Sequence, residues 1–137
     1  MLLSSFICIF ALASCNFNAP LRNKMLDYYS KEENYLQLNG RIMSLQYNEG
    51  NDELFLEIEL NGDNHSFPTN AETGYGEFAL VCWSMYDFSL QVNDVVAFSS
   101  APMYFYNGHV LPIVQLEKNG QEYLSLTAGI NRYTEWI

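Results

Sequence analysis

Apolar and polar positions along the chain fall into three regimes. Residues 2–13 carry no charge and hold Leu2, Leu3, Phe6, Ile7, Ile9, Phe10 and Leu12. That run is too short to cross a bilayer, which takes roughly 20 apolar residues. Leu21, Met25 and Tyr28 then recur at helical spacing behind Pro20, which suits a first turn, and they predict a short helix that needs tertiary support. From Tyr35 onward the period becomes two, the signature of strands.

The first predicted strand runs from Leu36 to Tyr47, with Gly40 in its path and a slip in alternation at Met43 and Ser44 that reads as a bulge. A turn at Asn48-Glu-Gly-Asn-Asp follows, with Gly50 expected to take the positive φ. The second strand is the cleanest: Leu54, Leu56, Ile58 and Leu60 alternate with Phe55, Glu57 and Glu59, one face apolar and the other acidic. Residues 65–77 form an excursion pinned by Phe67, and Phe78 to Cys82 is a third strand, apolar on both faces. Residues 84–90 are expected as a turn or short crossing with Met85 and Phe88 inward. Val92 to Phe98 reads as a turn feeding a fourth strand, which Ala101 to Tyr106 continues irregularly because of Pro102, and Asn107-Gly108 is the strongest hairpin signal. The return strand spans Val110 to Leu116, bent or at an edge because of Pro112. Asn119-Gly120 turns into a last short strand through Tyr123, Leu124 and Leu126, and the remainder reads as a tail docked by Tyr133 and Trp136.

With no long helix to cover a sheet face, closing five or six strands on themselves is the economical arrangement, so an all-β fold with one short N-terminal helix is expected. Three features resemble the oligonucleotide/oligosaccharide-binding (OB) fold: the long Gly-containing first strand followed by the Leu54 to Leu60 strand, the Leu90-x-Val92-Asn93-Asp94-x-Val96 lead into strand four, and the Asn107-Gly108 hairpin returning through Leu111, Ile113 and Val114. The resemblance covers residues 35–126 and implies a small closed or partly open antiparallel β-barrel. Asn93 stands where that family usually has Gly, and the crossing before it is shorter than the family's helix. A β-sandwich and a lipocalin-like half barrel are the alternatives.

The apolar leader ends in Leu12-Ala13-Ser14-Cys15, which resembles the lipobox of bacterial lipoproteins, although Met1 to Ser5 has no Lys or Arg. The resemblance implies that residues 1–14 are a signal peptide and that Cys15 becomes the first mature residue, carrying diacylglycerol on its sulfur, with further acyl chains giving lasting membrane attachment. Residues 15–34 would be a tether and short helix, 35–127 the β-domain and 128–137 a tail on the periplasmic or extracellular face of the envelope. That leaves Cys82 as the one remaining thiol, expected to be buried beside Leu80, Val81 and Trp83, with no intrachain disulfide.

Charge narrows the functional classes. Sixteen acidic residues against six basic ones give a formal net charge of -10, the wrong sign for a phosphate backbone, so no nucleic-acid partner is expected. No HExxH, phosphate loop, Cys/His zinc spacing or Gly-x-Ser-x-Gly elbow occurs, so no cofactor or metal is expected. His65 and His109 are the candidate bases but fall in turns, and Glu57 and Glu59 are the wet side of a strand before they are a glycosidase pair or a calcium site. No catalytic residue is assigned. The candidate binding surface is aromatic: Tyr104 and Tyr106 beside His109, with Trp83 and Phe55, suited to an envelope protein, a peptide or a glycan. The sequence therefore points to a membrane-anchored, non-enzymatic binding or accessory module. A structural subunit of an envelope complex is the alternative, and a glycan-processing enzyme or single-strand nucleic-acid binder comes behind both.

Overall fold

The computed structural model describes residues 19–62, 66–87, 89–103 and 110–137. Helix α1 covers residues 19–29 and leads through a 3-10 turn at Glu32–Asn34 into β1 (Leu36–Asn48) and β2 (Glu53–Leu60). Strand β3 (Gly76–Val81), a second 3-10 turn at Trp83–Met85, and strands β4 (Val95–Ser100), β5 (Leu111–Pro112), β6 (Gln115–Lys118) and β7 (Gln121–Leu124) follow, and α2 (Leu126–Trp136) ends the chain.

The seven strands form one sheet in the order β5-β3-β2-β1-β4-β6-β7. Every pair is antiparallel except β3 with β5, which run parallel at Phe78↔Leu111 and Ala79↔Pro112. This corrects the expected fold. The domain is mixed α/β on an open, seven-stranded mixed sheet; it is not an all-β, closed, OB-like barrel of five or six antiparallel strands with one helix. Strands β5 and β7 stand at the two ends of the order and no ladder joins them among the described residues.

Two physical reasons account for the correction. Pro112 has no N–H to give to a ladder, so the single return strand expected from Val110 to Leu116 splits. Its first half pairs with β3. Ile113 and Val114 then cross over, their N–H groups donating to Ala79 O at 2.9 Å and Ser99 O at 3.1 Å, and the second half pairs with β4. The second reason is helical cover. The residues read as a tail form α2, eleven residues long, capped by the Ser125 hydroxyl accepting from Ala128 N–H at 3.3 Å. A sheet with two helices to pack on it does not have to close.

Burial follows this division. The inner face gathers Leu38, Ile42, Leu54, Leu56, Ile58, Phe78, Leu80, Val96, Phe98 and Leu116 into the main core. The sheet bends enough for Phe78 and Phe98 to meet edge to face, with centroids 4.9 Å apart, although β2 and β1 lie between their strands. A second core lies where the helices meet the sheet: Met25, Tyr29, Tyr35, Val81, Ala101, Val114, Ile130 and Tyr133. Arg22 on α1 donates to the carbonyl of Ile137 at 3.2 Å, a favourable place for a cation beside the C-terminal end of α2.

Turn chemistry departs from expectation in one place. Asp52, rather than Gly50, takes the positive φ, at 51°. Its carbonyl accepts from Trp83 N–H, while its carboxylate accepts from the Ser84 hydroxyl at 2.6 Å and the Tyr47 hydroxyl at 2.7 Å. Those bonds, Ser84's first, hold the Asp52 carboxyl below the usual range and knot two loops together. Asn93 adopts φ 77° as an Asn can, and the following Asp94 binds Lys118 at 2.9 Å. Met85 is 54% exposed rather than inward. Phe88 and the Asn107-Gly108 hairpin lie outside the described residues.

Candidate functional site

The outer face of β1, β2 and β3 is built in rows fixed by register. Ser44, Glu57 and Glu77 form one row, Gln46, Phe55 and Ala79 the next, and Asn48, Glu53 and Val81 the third. The sequence slip at Met43 is what makes this face. The register shifts between Ile42 and Ser44, so Met43 is an extra residue; Ile42 stays in the core and Ser44 turns outward, where simple alternation would have buried it.

Val81, in the third row, belongs to the helix-covered second core, and its row neighbour Glu53 is only 2% exposed. In the other two rows Ala79 is buried, while Ser44, Gln46, Phe55, Glu57 and Glu77 line a groove of about 260 Å³ together with Leu56, Phe78 and Val110. The groove lies on a part of the outer face away from the helix-covered core, and the exposed Arg41 and Glu59 continue that face beyond it.

Its polar groups are held in place. The Ser44 hydroxyl donates to Glu57 Oε1 at 2.6 Å. Glu77 Oε1 accepts from Asn70 Nδ2 at 2.9 Å. Asn70 is itself fixed by its loop: its Oδ1 accepts from Glu72 N–H at 2.8 Å and Thr73 N–H at 3.2 Å, and its own N–H donates to Tyr75 O. Glu57 and Glu77 are direct cross-strand partners, an arrangement that repels. Both of these bonds come from neutral donors. The basic residue nearest in register is Arg41, beyond the bulge on the same face, directly opposite Glu59.

Glu53 is of a different kind. Its Oε2 has no hydrogen-bond partner, and burial pushes its carboxyl above the usual range, partly offset by a bond from Asn51. The sign is definite: a carboxyl raised in the folded state contributes full stability below its unfolded pKa and progressively less as pH rises through the folded pKa. Glu53→Gln should therefore flatten the loss of stability as pH rises above the usual carboxylate range. Melting curves of the two proteins across that range test it, and parallel profiles would refute the assignment.

Of the aromatic residues singled out in the sequence, Phe55 lies in the groove. Trp83 does not: it sits half-buried in the 3-10 turn after β3 and packs against the main core. Tyr104, Tyr106 and His109 lie outside the described residues, as do His65 and Cys15. The carboxylate beside Glu57 is Glu77 from β3, while Glu59 is exposed farther along β2. Ser44, Gln46, Glu77 and Asn70 went unnoticed in the sequence; the alternation slip at Met43 was the signal for the first two. Cys82 is half-buried, not fully so, and takes a left-handed φ of 57°; burial raises its thiol pKa, which disfavours thiolate chemistry. No group of three or more His, Cys, Asp or Glu is placed to hold a metal among the described residues. No protein family, curated protein or solved structure matches the chain.

Proposed function

We propose that the chain is a non-enzymatic binding module of the bacterial envelope, lipid-anchored at Cys15, whose working surface is the groove over β1, β2 and β3. The groove carries the reading: a concave, solvent-facing strip with one aromatic ring, an amide, a hydroxyl and two oriented carboxylates, on a part of that face away from the helix-covered core. The anchor rests on Leu12-Ala13-Ser14-Cys15 behind an uncharged apolar run. Among the described residues no helix is long and apolar enough to cross a membrane.

A photo-crosslinking side chain tests the surface in the native membrane. Placed at exposed Gln46, it should trap a discrete partner; placed at exposed Glu122, on the far limb of the sheet, it should not. Equal adducts from both positions would remove the groove from consideration. Cys15→Ala should shift the protein from the membrane to the soluble fraction and abolish lipid labelling. An unchanged distribution would end the anchor proposal.

A further inference from the structure

The helical end of the domain differs in chemistry from the rest of the molecule. We infer that the first turns of α1, with the end of α2 beside them, form a docking face for a bilayer surface that bears anionic headgroups. This rests on the lipid anchor at Cys15 proposed above.

Chain length limits where that end can lie. Four Cα–Cα steps separate Cys15 from Ala19, the first residue of α1, and a fully extended chain covers at most about 14 Å over them. With the acyl chains of Cys15 in the bilayer, the start of α1 is held at the headgroups or just above them. A tether this short keeps the face and the lipid at high effective concentration. Contacts too weak to recruit a free protein are then enough to orient an anchored one.

The side chains at this end suit such a boundary. Ala19 to Lys24 are all exposed. Leu21 is 39% exposed and belongs to neither core, while Met25 and Tyr29 hold the other face of α1 to the sheet. Arg22 Nε donates to the Ile137 carbonyl, which sets the end of α2 against the first turns of α1. Trp136 and Ile137 sit there half-buried, with the indole stacked on Tyr133 at 5.8 Å. An aliphatic side chain, an indole and long basic side chains together match the headgroup layer, where one end of each group can stay wet.

Charge selects the same orientation. Residues 1–26 hold two basic side chains, Arg22 and Lys24, and no acidic one; residues 27–137 hold four basic and all sixteen acidic. A chain of net charge -10 is therefore polarised into +2 at the anchored end and -12 over the remainder. The next cation along, Lys31, is paired with Asp27 at 3.4 Å. An anionic surface draws in the first part and pushes away the second, so the field turns the domain the way the tether already holds it.

The test uses the full chain expressed in a bacterium, with a photo-crosslinking side chain at Leu21 or at Val95. Val95 is the control: apolar, 54% exposed, and at the end of β4 away from Ala101 and the helical cluster. In isolated membranes Leu21 should give lipid adducts and Val95 should not. With the purified lipidated protein in vesicles, replacing about one quarter of the phosphatidylcholine by phosphatidylglycerol should raise the Leu21 yield. Lys24→Gln should lower the yield about fivefold in the anionic vesicles, the scale of one basic residue at such a surface, and leave it unchanged in pure phosphatidylcholine. High salt should act as the substitution does. Equal lipid adducts from both positions of a membrane-bound protein would overturn the docking face and leave the anchor standing, as would a protein adduct in place of lipid at Leu21. A protein that fractionates as soluble and takes no lipid label would end the anchor reading, and the docking face with it.

Discussion

Replacing Gly129 with alanine is expected to detach α2 and to lower the melting temperature by an amount on the order of 10 °C. A methyl group at Gly129 would overlap the Val114 carbonyl, with the Val114 Cα 2.7 Å away. Every colliding atom is backbone, so no side chain can swing aside. Val114 cannot yield either: it is fully buried, its N–H is committed to Ser99 O, and it lies in the two-residue crossing between β5 and β6. The methyl can be accommodated only by lifting the helix, which uncovers Ile130, Tyr133 and the outer side of Val81. Overpacking of this kind costs about 3 kcal/mol or more when neither side relaxes. Thermal unfolding of Gly129→Ala measures it. Gly129→Ser should behave alike, whereas Ala128→Gly, at an exposed neighbour, should cost only the helix-propensity difference of about 1 kcal/mol. A Gly129→Ala protein with unchanged stability would mean that α2 does not sit on the crossing as described.

The same contact shows where the sequence was legible and where it was not. Period-two alternation exposes β1 and β2 because half of each strand faces water. Met43 betrays its bulge because an extra residue breaks that alternation. Asn93 signals a left-handed turn because few other side chains tolerate one. These are local constraints, written within a few residues. The tail was misread because α2 carries Gly129, Thr127, Tyr133 and Thr134, poor helix formers whose presence is decided by distant partners: glycine by the Val114 backbone, Tyr133 by Tyr29. The closed barrel was inferred from the apparent lack of a covering helix, so that single misreading carried the architecture with it. The groove was half visible. Phe55 and Glu57 announce an outward strand face, but Glu77 joins them only through pairing across the 61–75 excursion, and nothing local encodes that register.

Tyr29 is expected to be the costliest side chain to remove from the helical cluster. It is 2% exposed, packs edge to face on Tyr28 and Tyr133 at 5.1 and 5.0 Å, and tilts against Tyr35. Its hydroxyl donates to Met103 O at 2.5 Å, and its own carbonyl accepts from the Tyr35 hydroxyl at 2.7 Å. Burial pushes the hydroxyl pKa up to about 12, so it stays a protonated donor across the physiological range. Two effects can then be separated. Tyr29→Phe keeps the ring and loses the hydroxyl's bonds to the Met103 carbonyl and to the Tyr133 side chain, for about 1–2 kcal/mol. Tyr29→Ala also empties a ring-sized volume between two helices, for roughly 3–5 kcal/mol. Hydrogen exchange locates the damage. In Tyr29→Ala, amides of α1 should lose protection first, because α1 reaches the sheet through Met25 and Tyr29, while β1 and β2, sealed by the main core, keep theirs. If the two substitutions cost the same, the hydroxyl and not the packed ring holds the helix, and the aromatic account of the second core fails. If protection falls uniformly, the two cores unfold as one unit, and the sheet depends on its helices more than its own buried face implies.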